Sequence, residues 1–92
     1  MRRVSVVGNA GSGKTKLARE LAARLRVPHV ELDAIFHQPN WTRLPTDEFR
    51  QRVADAVAGD GWVVDGNYSS VRDLVWQRAD AVVWLDFSRA TV

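Results

Sequence analysis

The segment Gly8-Asn9-Ala10-Gly11-Ser12-Gly13-Lys14-Thr15 constrains the fold of this chain more than any other. It sits between a β-branched run, Val4 to Val7, and a periodic stretch from Lys14 to Arg26. In that stretch Leu17, Leu21 and Leu25 recur on one stripe, flanked by Ala18 and Ala22. The first run reads as a strand and the second as an amphipathic helix, which Pro28 stops. The glycines of the turn admit backbone angles closed to other residues, so successive N–H groups can face inward around an anion. The helix that follows directs its positive dipole end to the same place.

The spacing is the full Walker A pattern, in the strand–loop–helix context that the pattern requires. Gly8, Asn9, Ala10, Gly11, Ser12 and Gly13 are expected to cradle nucleotide phosphates through their backbone. Lys14 is expected to reach the β- and γ-phosphates, and the Thr15 hydroxyl to ligate Mg²⁺.

Downstream, strand-like and helix-like stretches alternate. His29-Val30-Glu31-Leu32 reads as a second strand ending at Asp33, and residues 34 to 44 as a loop punctuated by Pro39 and Asn40. Thr46 looks like an N-cap, with Asp47 and Glu48 in the first turn and Phe49, Val53, Ala56 and Val57 on the buried face. Gly59-Asp60-Gly61 ends that helix, Trp62 to Asp65 is a third strand, Ser69 to Arg78 a weaker helix, and Ala81 to Phe87 a fourth strand. Strands separated by helices connect by crossovers and so pair in parallel. Near-continuous apolar strands are what a sheet covered on both faces needs. The expectation is an α/β chain with a three-layer α/β/α sheet of four parallel strands. Residues 1–92 form one domain. Trp62, Trp76 and Trp84 are expected in its core.

Composition excludes several classes. No apolar run approaches the roughly 18 residues of a membrane span, and the apolar start is too short for a secretory signal. With no cysteine, disulfides and thiolate metal sites are ruled out, which fits a cytoplasmic protein. The net charge of +2 is spread without a Lys/Arg run longer than two, so a nucleic-acid footprint is missing. No Asn-Lys-x-Asp segment for reading guanine occurs.

Asp33 and Asp65 each end an expected strand, on the edge where open α/β sheets bind ligands. Carboxylates there suit Mg²⁺ or an acceptor, or they cap the following turn. Asp86 is expected only to precede a helix start. His37-Gln38-Pro39-Asn40-Trp41 reads either as an acceptor pocket, with His37 and Trp41 as contacts, or as a surface loop whose Trp41 covers the core. Arg72, seven residues after Asp65, reads either as a contact for an acceptor anion or as a solvated charge.

Together the Walker A segment, the Leu32-Asp33 strand end, the His37-to-Trp41 loop and Trp62-Val63-Val64-Asp65-Gly66-Asn67-Tyr68 resemble the adenylate-kinase-like P-loop proteins. The nearest branch is the one labelled DNA topology modulation protein, also filed as adenylate or shikimate kinase-related. The resemblance extends over essentially the whole chain. It implies a P-loop NTPase core of nucleoside-monophosphate-kinase type, with strand order 2-3-1-4-5. It also implies transfer of the γ-phosphoryl group of ATP, with Mg²⁺, to a small acceptor (a nucleotide or small hydroxy compound). Lys14 and Asp33 would be catalytic, Thr15, Asp33 and Asp65 would hold the metal, and Asp33, His37, Trp41, Asp65 and Arg72 would meet the acceptor. Asn67-Tyr68-Ser69 stands where adenylate kinases usually continue Phe-Pro-Arg, which leaves the acceptor open. Such proteins usually add an Arg-bearing lid and a fifth strand. The chain is therefore expected to resemble their N-terminal half, with order 2-3-1-4 present. A nucleotide-binding module without phosphotransfer is the alternative expectation, and if the 92 residues are the whole molecule, an apolar edge at Ala81 to Phe87 predicts self-association.

Overall fold

The computed structural model describes residues 1–8, 13–38 and 42–85. Its elements run β1 (Arg3–Gly8), α1 (Lys14–Leu25), β2 (His29–Glu31), α2 (Leu32–Phe36), β3 (His37–Gln38), β4 (Thr42–Arg43), α3 (Thr46–Ala56), β5 (Trp62–Asp65), α4 (Arg72–Arg78) and β6 (Ala81–Leu85). Four strands form an all-parallel sheet in the order β2-β5-β1-β6, which is 2-3-1-4 among its own members. The expected fold class holds.

Side-chain alternation assigns the two faces. Val4, Val6 and Val63 point to α1, where Ala18 and Ala22 are small enough to let the helix lie against the sheet. Leu17, Leu21 and Leu25 seal its flanks. On the opposite face Trp62 and Val64 pack with Leu32, Phe49, Val53, Val57, Val71 and Val75, contributed by α2, α3, α4 and their joins. The sheet thus separates two apolar layers, as a three-layer protein requires. No helix among the described residues is long and apolar enough to cross a membrane.

Helix α1 stops one residue before the expected end. Arg26 adopts the left-handed conformation (φ 59°), its N–H reaches the Ala23 carbonyl and the Val27 N–H reaches that of Ala22. This is a Schellman closure, and Pro28 follows it. Helix α3 begins at Thr46, but Pro45 occupies the N-cap position and no side chain caps it. Thr46 is therefore a first-turn residue, and Ala56 is only half-buried. Helix α4 starts at Arg72, later than the expected Ser69, because Val71 at its N-cap is extended away from helical φ (−128°).

Two expectations need correction. Residues 34–44 are not a plain loop: α2 occupies Leu32–Phe36, and β3 and β4 pair antiparallel, His37 against Arg43. The aromatic ring of Phe36 drives this order by packing edge-on to Phe49, with centroids 5.1 Å apart. Of the three tryptophans, only Trp62 is core. Trp76 is 36% and Trp84 65% exposed, because β6 is an edge strand whose outward side chains meet only part of α4. Strand β6 is described to Leu85; Asp86 and Phe87 lie outside the described residues.

Candidate functional site

The register brings the ends of three strands to one edge. Val6 of β1 lies across from Asp65, and Glu31 pairs with Asp65 on the other side. Gly8 therefore extends two residues past Asp65 before the chain turns toward α1. Asn9, Ala10, Gly11 and Ser12 lie outside the described residues, as does Trp41.

Gly13 is the N-cap of α1 and is left-handed, with φ +86°. A Cβ there would meet no atom within 4 Å, so conformation and not crowding calls for glycine. No side chain caps the helix and its first turn holds no acidic residue. Among the described residues nothing accepts from the N–H groups of Lys14, Thr15 and Lys16, and Lys14 has no ion-pair partner. A helix start with free donors, a lysine and no acid favours an anion.

Asp65 ends β5 on the α1 face and is 3% exposed. A strand covered on both sheet faces is otherwise apolar, so a carboxylate there must have a partner. That partner is His29, whose Nε2 lies 2.6 Å from Oδ2 of Asp65. Its Nδ1 is 3.8 Å from Oε1 of Glu31. The imidazole thus stands between two carboxylates. Neither His29 nor Glu31 is among the expected site residues. Their i, i+2 spacing puts them on one strand face, but only the β2–β5 register brings that face to Asp65.

Asp33 is not at a strand end. It lies exposed in the first turn of α2, one residue after Leu32 enters the α3-side core. The reason is that β2 gives way to a helix at Leu32, whose side chain turns into the α3 layer. The Tyr68 hydroxyl donates to Oδ1 of Asp33 at 2.5 Å, and the Tyr68 ring packs between Phe36 and Phe49. Partial burial, and then the bond to the Asp33 carboxylate, push the Tyr68 phenol up to about 12. Tyr68 is a further residue that the sequence reading did not single out.

Among the remaining expected residues, His37 follows α2, exposed, with its ring edge-on to Phe36. Arg72 opens α4, donates through Nε to Oδ1 of Asn67 at 3.0 Å, and lies 5.4 Å over the Trp76 ring. The structure therefore puts Gly8 and Asp65 at one edge of the sheet, Gly13, Lys14 and Thr15 at the start of α1, and Asp33 in a bond with Tyr68. A shallow concavity of about 310 Å³ between α3 and α4 is lined by Asp47, Arg50, Gln51, Ala54 and Leu74, none of them an expected site residue.

Neither a family model nor a curated protein matches the chain. Among solved structures it is similar to a sugar kinase from Janibacter sp. HTCC2649, solved without ligand, at 25% identity and a TM-score of 0.51. The match covers 95% of this chain and 60% of that one, so the chain spans about three fifths of that protein's length. The fold is kinase-like.

Proposed function

We propose that the chain binds ATP with Mg²⁺ at the turn from Gly8 to Thr15 and transfers the γ-phosphoryl group to a small hydroxyl-bearing acceptor. The observation that carries this reading is the start of α1, which pairs a left-handed glycine with N–H donors and a lysine that nothing among the described residues claims. A kinase-like fold in a solved neighbour supports the reaction class.

The donor set on the α1 side fits the metal: a helix-start hydroxyl (Thr15) and a strand-end carboxylate (Asp65) are the hard oxygen ligands Mg²⁺ takes alongside its waters. When bound, Mg²⁺ would neutralise charge on the β- and γ-phosphates. Lys14 would neutralise more of it, and the N–H groups of α1 would hold the phosphate oxygens. Oδ1 of Asp33 is taken by Tyr68, so Oδ2 is the oxygen that would orient the acceptor hydroxyl and receive its proton as the oxygen attacks phosphorus and ADP departs. Asp33 thus belongs to the acceptor. His37 and Arg72 would serve as further acceptor contacts.

The test is a titration of wild type and Lys14→Ala with Mg·ATP, followed by a coupled assay over nucleosides, nucleotides and sugars. Losing one charge-assisted contact should weaken ATP binding roughly ten- to hundredfold. Absence of saturable ATP binding by the wild type would overturn the reading. Saturable binding without turnover of any acceptor would leave a nucleotide-binding module in its place.

A further inference from the structure

We infer that His29, Glu31 and Asp65 form a site for a divalent first-row transition-metal ion, separate from the phosphate-binding turn. One ligand atom from each lies within 4.8 Å of the other two. The backbone builds this closeness. His29 and Glu31 stand two apart on β2, so both side chains leave the same face, and Glu31 is in register with Asp65 on the neighbouring strand. Around a tetrahedral ion with bonds near 2.0–2.1 Å, ligand atoms sit about 3.3 Å apart. His29 Nε2 and Asp65 Oδ2 lie 2.6 Å apart as a hydrogen-bonded pair with side chains 15% and 5% exposed, so an ion entering there would replace the shared proton and spread the two atoms by about 0.7 Å. The Glu31 side chain is 40% exposed and free to swing the remaining distance.

Charge argues in the same direction. Two carboxylates share one imidazole, and among the described residues no lysine or arginine forms an ion pair with either. Even a protonated His29 leaves the trio net negative, whereas a divalent ion with a neutral imidazole balances both carboxylates. The ligand types select the ion. A nitrogen with two carboxylates suits Zn²⁺, Co²⁺ or Mn²⁺, while Mg²⁺ and Ca²⁺ favour oxygen alone. Three protein ligands leave coordination positions for water or a substrate oxygen, as in open zinc sites. The site needs no nucleotide, but it shares Asp65 with the proposed Mg²⁺ position, so the two ions would compete for that carboxylate.

Co²⁺ alone, followed by its visible absorption without nucleotide, tests the site. The wild type should take up equimolar Co²⁺, and Zn²⁺ should displace it. His29→Ala and Glu31→Gln should each weaken uptake by at least about tenfold. His37→Ala removes the only other histidine and should leave Co²⁺ uptake unchanged. Glu31→Gln sits at a half-exposed position and keeps the test valid if His29→Ala does not fold. No saturable uptake by the wild type, uptake indifferent to His29→Ala and Glu31→Gln, or uptake abolished by His37→Ala would each overturn the assignment. Lys14→Ala should retain Co²⁺ uptake, so failure of the ATP reading and failure of this one give different results.

Discussion

Gly66, directly after Asp65, is held at φ +117°, and a Cβ there would lie 3.1 Å from Cβ of Leu32. Both strain and contact therefore oppose a side chain at the turn that carries β5 into the site. Gly66→Ala should cost about 1–3 kcal/mol in urea unfolding. Gly59→Ala, with open space around it, should change stability by less than about 0.5 kcal/mol. Tyr68 gives a pH test. Because folding raises its phenol above the ordinary value near 10, its contribution is whole below that pH and is lost as pH climbs toward 12. It is the only tyrosine, so phenolate absorption of the folded protein should report a late ionisation, and Tyr68→Phe should flatten the alkaline fall in stability. At this scale the sequence was legible where one residue type has one physical use. Gly13 had to be left-handed, and Asp65 had to be a carboxylate in an otherwise apolar strand. Asp33 was misplaced because alternation cannot tell where a three-residue strand yields to a helix. His29 was invisible because its partner is 36 positions away.

Elements were read best where periodicity was long. The stripe of α1 located its helix to within one residue, whereas α2 and the β3–β4 pair are too short for any period and depend on Phe36 packing against Phe49 and Tyr68. The end of α1 is decided by Arg26, a non-glycine residue in the left-handed region. Arg26→Gly should stabilise the fold by about 0.5–1 kcal/mol in thermal unfolding, since the Cβ clash disappears and the closure stays. Between β1 and β6 the link is Asp80, whose carboxylate accepts from the Arg2 and Arg3 N–H groups and from the Arg3 guanidinium. Those bonds, the Arg2 N–H foremost, hold its carboxyl well below the usual carboxylate range. The contribution is whole above an ordinary pKa near 3.9 and fades only as pH falls below it. Asp80→Asn should speed hydrogen exchange in β6 at neutral pH.

For the molecule as a whole, parallel pairing was legible because helices between strands impose crossovers, and the order 2-3-1-4, which the resemblance implied, is what the structure shows. The surface was not. Trp84 and Val82 look like core in a strand-like run, yet they are outward residues of an edge strand beside Trp76. Exposed aromatics on a strand that pairs on one side only among the described residues favour pairing with a second copy. Light scattering should show concentration-dependent association that Trp84→Lys suppresses, and a monomer at all concentrations would refute it. The Asp80 clasp has a practical corollary. Arg2 and Arg3 are pinned at the amino edge of the sheet, while Gly8 and the His29–Glu31–Asp65 trio lie at the other, a strand length of roughly 20 Å away. A dye, bead or affinity handle attached ahead of Met1 would therefore hang from the molecule's back, leaving its working rim unobstructed for immobilised binding assays.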